Sequence, residues 1–261
     1  MHLRPLLGLH DPIASLSHLS AAAAVAASYY FLYKKGRGDV LRSSALLIFS
    51  ASLFFLFVMS GTYHALPLGP GRAFFRRLDY AAIWLVIAGS ATPVHILLFK
   101  GRWRWGLIAL FWGCALTCLV LLEVYFARLP YWSVVLGYIS VGSLGIISFS
   151  RLTARHGWKE TTLLFLGGLA YSAGAVIDYI DVPILIPGVL GPHELFHFFV
   201  MLGAFLHWCF IYNWADGREP APRAARRAAP APVPAALGGA ETALELLAAP
   251  QRTGSLRLEE S

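Results

Sequence analysis

The chain has 261 residues, of which 57% are hydrophobic, 14% aromatic and only 13% charged. Such a composition excludes an ordinary soluble domain, in which close to a quarter of residues are charged. The net charge of +7 does not indicate nucleic-acid binding. The 21 Lys and Arg fall mainly in short links and in the tail, where positive charge orients membrane proteins.

In chain order, the N-terminus does not read as a cleaved signal peptide. Met1 to Leu9 carries only Arg4 as a strong positive charge and no small-residue cleavage site follows. The first span therefore serves as its own insertion signal. Seven apolar runs follow, at about 16–33, 43–65, 79–99, 103–122, 131–150, 161–180 and 193–214. Each is long enough to cross a hydrocarbon layer of about 30 Å as a helix. Lipid leaves backbone polar groups no partner but the segment itself, so the spans are helical. The expected fold is all-α, a seven-transmembrane helix bundle over residues 1–214.

Basic or Gly/Pro-containing links separate the spans: KKGRGD at 34–39, PLGPGRAFFRR at 67–77, KGRWR at 100–104, ARLP at 127–130 and RLTARHGWKE at 151–160. The sixth link, 181–192, differs in being Pro/Gly-rich and apolar, with Asp181 its single acid. Residues 215–261 form an Ala/Pro/Arg-rich tail that cannot bury a core and is expected to be disordered. Cys114, Cys118 and Cys209 lie inside spans and read as small polarisable filler. Trp103, Trp105, Tyr131 and Trp132 cluster at span boundaries, as an interfacial belt does.

Antiparallel threading brings polar residues to one membrane face. Asp11 and His18 enter span 1, Ser60 and His64 leave span 2, Asp79 opens span 3, and Asp178 ends span 6. His193 and His197 open span 7. Ser60 and His64 are i, i+4, as are His193 and His197, so each pair shares a helix face. Ionisable groups at the mouth of a membrane span are costly and point to a functional site. Three neutral imidazoles, His64, His193 and His197, plus a water make the open tetrahedral site of a catalytic zinc. Such a metal lowers the pKa of its water to about 7 and polarises a carbonyl. Asp79 and Ser60 are placed to hold the imidazole tautomers or to touch that water.

Other residues carry blander readings. His207 lies about 21 Å beyond His193 along the helix axis and, like His95, reads as an interfacial or packing residue. His18 could line the site or bond a neighbouring helix. Glu123 and Asp178 read as solvated helix-terminus residues. His193–His197 also spells H-E-x-x-H, in which Glu194 would act as general base. A solvated Glu in a first helical turn, favoured by the helix dipole, is the simpler account.

The strings SGTYHAL (60–66), RLDYAAIWLVIAGSATP (77–93) and HELFHFFVMLGAFLHW (193–208) resemble the hemolysin III family, within the progestin and adipoQ receptor superfamily. The resemblance spans about residues 11–214. It implies a seven-helix bundle with zinc on His64, His193 and His197 and supporting roles for Ser60 and Asp79. It also implies metal-dependent hydrolysis, with ceramide-like amides the substrates in the receptor branch. The family's first-span pattern has a Glu, an Asn and a Thr-His pair. In this chain Asp11 and Ser15 replace the Glu and Asn, and His18 matches.

The leading expectation is a zinc-dependent hydrolase of a lipid amide or ester, with a membrane lipid as substrate and Asp79 or Ser60 assisting proton transfer. Two alternatives stand beside it: a non-catalytic signalling or structural protein stapled by zinc, and a pore. No span is a conspicuously polar pore liner. A bacterial inner membrane suits the Ala/Arg-rich composition. Through Arg227, the links after spans 1, 3 and 5 with the proximal tail carry fourteen Lys and Arg, against five on the opposite face. That asymmetry places the C-terminus in the cytoplasm and the site outside. The adiponectin-receptor branch implies the reverse. Oligomeric state has no signature in the sequence.

Overall fold

The computed structural model of the chain describes residues 8–218; the residues 219–261 of the tail expected to be disordered lie outside them. Among the described residues the regular structure is helical: α1 (Pro12–Gly36), α2 (Val40–Ala65), α3 (Pro70–Leu98), α4 (Gly101–Tyr125), α5 (Tyr131–Ser143), α6 (Gly145–His156), α7 (Trp158–Ile180) and α8 (Pro192–Trp214). The stretch Tyr131–His156 is a single apolar run, interrupted where Leu144 closes short turns from Val141 and to Ile147. Among the described residues, six runs are long and apolar enough to cross a membrane: α2, α3, α4, α5 with α6, α7 and α8. At 25 residues α1 is equally long, but it is less apolar and does not meet that standard. Its polar side chains Ser15 and His18 are buried against its neighbours.

The helix starts follow simple capping chemistry. The Asp39 carboxylate accepts from the Arg42 amide at the head of α2, and Pro70 and Pro192 occupy first-turn positions of α3 and α8, where the missing N–H costs nothing. Two boundaries differ from the sequence expectation. The PLGPGRAFFRR segment is not a link for most of its length: α3 begins at Pro70, so Arg72, Arg76 and Arg77 are helical and Asp79 lies more than two turns inside. A hydropathy reading stops at arginines, yet Arg72 and Arg77 find acidic partners and Arg76 lies over the Tyr80 ring. Likewise RLTARH continues α6 to His156 before α7 restarts at Trp158.

α3 runs through the centre, packing on α2, α4, α5 and α8. One core joins α1, α2, α3 and α8 through Ala22, Phe49, Leu53, Ala82, Val86 and Val200. A second joins Trp84 and Ala88 of α3 to Ala115 of α4 and Val134 of α5. The outer helices expose large apolar side chains such as Val120, Leu136, Ile146 and Leu169. A surface of this kind suits lipid and not water. The helices approach closely at small residues. A Cβ at Gly61 would lie 2.7 Å from Leu19 of α1, and one at Gly174 of α7 would lie 2.7 Å from the Cβ of Phe199 on α8. These approaches seat α1 against α2 and α7 against α8 near the polar face.

Candidate metal centre

The end of α2 and the start of α8 bring three imidazoles together. His64 lies in the last turn of α2, and His193 and His197 occupy the first two turns of α8. Ring centroids are 4.9 Å apart for His64 and His193 and 4.7 Å for each of the other two pairs. The Nε2 atoms face inward, with His193 3.2 Å from His64 and 3.1 Å from His197. Ligand atoms of all three fall within 4.8 Å of one another. Two nitrogens on a tetrahedral zinc, each about 2.0–2.1 Å from the metal, stand about 3.3 Å apart. The spacing therefore fits a metal ion.

The outward nitrogens make the same point independently. His64 Nδ1 lies 2.9 Å from Asp11 Oδ2, and His193 Nδ1 lies 2.7 Å from Asp178 Oδ1. A carboxylate only accepts, so both rings donate through Nδ1. In neutral rings that leaves two bare Nε2 lone pairs facing each other at 3.2 Å, a repulsion that a cation relieves. Orientation of a ligand imidazole by an outer carboxylate is the usual support of such sites. His197 differs, since its Nδ1 meets His18 Nε2 at 2.9 Å. With His197 Nε2 turned to the shared point as an acceptor, His197 Nδ1–H donates and His18 accepts. His18 is then protonated at Nδ1, an atom with no hydrogen-bond partner in a ring only 2% exposed.

The cluster is buried on two sides and open on one. His64 and His197 are each 2% exposed, whereas the His193 side chain is 43% exposed. Arg72 Nη2 also reaches Asp11 Oδ2, at 2.5 Å, and its Nη1 donates to the carbonyls of Tyr63 and Leu66 at the end of α2. Burial pushes the Asp11 carboxyl up, but hydrogen bonds from His64, Arg72 and His10 outweigh it and hold the group well below the usual carboxylate range. Ser60, 1% exposed and one turn before His64, adjoins the Asp79 carboxyl of α3. Asp79 is not among the residues whose ligand atoms converge.

Several expectations change. Asp178 is not a solvated terminus residue: it orients His193 and also accepts from the Tyr131 hydroxyl, so Tyr131 does more than belong to an interfacial belt. Glu194 is 2% exposed, and its Oε2 accepts from the Gly191 amide at 2.9 Å; it caps α8 from within. Glu123 pairs with Arg77 at 2.9 Å. His18 bonds His197. His95 and His207 are packing residues, bonded to Ala91 and Ser148 and to the Leu164 carbonyl respectively. The three cysteines are free.

A helical membrane protein with three imidazoles and two orienting carboxylates at one end of its bundle is the class that fold and site define. Residues 9–208 match the family described as Haemolysin-III related, and the chain belongs to that family. It is 28% identical over 169 residues to Hemolysin-3 of Bacillus cereus, covering 64% of this chain and 74% of that protein. It is 27% identical over 187 residues to the Hemolysin-3 homolog of Bacillus subtilis (strain 168), covering 70% and 84%. It is also similar to the heptahelical transmembrane protein ADIPOR1 of Oryza sativa subsp. japonica, 27% identical over 199 residues, covering 67% of this chain and 52% of that one.

Proposed function

We propose that this chain is a zinc-dependent membrane hydrolase that cleaves an amide or ester bond of a membrane lipid. The observation that carries the reading is the convergence of three Nε2 atoms, two of them on rings whose Nδ1 is fixed by a carboxylate. A set of three neutral imidazoles, with no thiolate, suits zinc. Held there, zinc would activate water near neutral pH and polarise a carbonyl. The chain's own residues do the rest. Asp11, Asp178 and His18 hold the three ring tautomers. Ser60 positions the Asp79 carboxylate, which takes a proton from the attacking water and returns it to the leaving nitrogen or oxygen. The exposed edge of His193 marks the side from which substrate arrives.

In this reading α1 is the seventh span, since its 25 residues are enough to cross a bilayer and the rice relative is heptahelical by name. Its Bacillus relatives support a bacterial inner membrane, and the Lys/Arg asymmetry puts the C-terminus in the cytoplasm.

The test begins with the metal content of detergent-purified protein beside His64→Ala and His193→Ala. The expected result is about one zinc per chain, the occupancy of a single tetrahedral site, lost in both variants. A screen of lipid amides and esters follows, in which turnover disappears with the metal and returns on reloading. Folded protein that takes up no zinc, or hydrolysis that survives its removal, overturns the proposal. A second reading has support in the same geometry: residues of five helices or their caps meet here, as a purely structural staple would require. Such a staple loses thermal stability on chelation and turns over no lipid.

A further inference from the structure

The link between α7 and α8 is the feature that the site does not explain. Residues 182–191 read VPILIPGVLG and carry no charge, whereas other links are basic. The link is a formed turn, not slack chain. Leu185 and Ile186 amides donate to the Leu190 carbonyl, and the Val189 and Leu190 amides donate to the Ile186 carbonyl. With its backbone engaged in this way, the turn points its apolar side chains outward. Val182, Ile184, Leu185, Ile186 and Val189 are between 42% and 54% exposed.

Five large aliphatic side chains on one short surface loop would be a costly patch in water. They are continuous with the outer face of α7, where Leu169, Val176, Tyr179 and Ile180 are also exposed and where lipid is the natural neighbour. Four of the turn's amides are bonded within it and its two prolines have none to bond, so it can leave water at lower cost than an open loop. The link begins three residues after Asp178 and ends two before His193, so its surroundings are those of the open side of the imidazole cluster.

We propose that the 182–190 turn is a membrane-inserted element whose partner is the acyl-chain region of the bilayer, seated beside the mouth at His193. The site then opens toward lipid and not toward bulk water on that side. Where the hydrolase reading holds, which this consequence rests on, the scissile carbonyl of a lipid reaches the cluster laterally without leaving the membrane. The insertion itself requires neither metal nor turnover.

Wild-type full-length protein in lipid nanodiscs separates the outcomes. A phosphatidylcholine carrying a diazirine on its acyl chain labels what touches the hydrocarbon, and a water-soluble diazirine labels what touches solvent, with mass spectrometry locating each adduct. The expected result is acyl-chain labelling of 182–190 equal to that of Leu169 and Val176, with aqueous labelling far below that of the basic 34–39 link. Aqueous labelling matching the 34–39 link, or no lipid-phase labelling where α7 is labelled, overturns the proposal. Since the readout contains no activity, its failure is distinct from failure of the hydrolase reading.

Discussion

At the scale of single residues, the three imidazoles differ in what holds them. His64 and His193 donate to carboxylates, while His197 donates to a neutral ring. Loss of an outer partner of a metal-bound His costs about 10–100-fold in affinity or activity, so Asp11→Asn and Asp178→Asn are each expected to weaken zinc retention by that order. Competition with a graded zinc chelator measures it. His18→Asn, whose side chain can still accept a hydrogen bond, is expected to retain more zinc than His18→Leu, which leaves the His197 Nδ1–H unpaired. Equal affinities in the two variants would remove His18 from the site. Arg72 is bound to more than the site. It joins Asp11 to the last carbonyls of α2 with both partners about a tenth exposed. Breaking a buried pair from one side costs about 3–5 kcal/mol, so Arg72→Ala should lower stability by that order, seen as an earlier thermal transition even in metal-free protein.

At the scale of helices, the site depends on how closely α7 sits against α8. Gly174 is one turn before Asp178, and a side chain there would meet the Cβ of Phe199 and the backbone of Phe196, neither of which can swing aside. Gly174→Val is therefore expected to force the helices apart and draw Asp178 away from His193. Zinc affinity should fall although no polar group is altered. Retained affinity in a folded Gly174→Val protein would show that the contact is not what positions Asp178. The same scale shows what the sequence made legible. Six of the seven expected spans followed from apolar runs, and the meeting of His64, His193 and His197 was expected from i, i+4 spacing and antiparallel threading. The start of α3 was not, because Arg72, Arg76 and Arg77 look like a solvated link until their partners Asp11, the Tyr80 ring and Glu123 are known. The role of Asp178 was hidden for a related reason. Helix ends commonly carry solvated acids, and only the close seating of α7 on α8 distinguishes this one. The burial of Glu194 was equally invisible, since capping from a first turn reads the same whether the turn faces water or protein.

For the whole molecule, the metal joins helices distant in sequence, so its binding free energy is also folding free energy. A ligand present at about a thousand times its dissociation constant stabilises the folded state by about 4 kcal/mol. For a chain of this size that corresponds to roughly 8–16 °C in melting temperature, the drop expected on chelation and the recovery expected on zinc addition. The pH dependence separates the groups involved. Protons compete with zinc for the imidazole nitrogens, so acidification should release the metal. Asp11 acts in another window. Its folded-state pKa is depressed, so its contribution is complete above the ordinary carboxylate value of about 3.9 and is lost only as pH falls through the lowered folded value. Zinc release in mild acid therefore belongs to the imidazoles, with Asp11 still ionised and still holding His64. Metal content followed against pH should show zinc lost at higher pH in Asp11→Asn, where it is held less tightly from the start, than in the wild type. Identical release profiles in the two proteins would mean that Asp11 does not support the metal through His64.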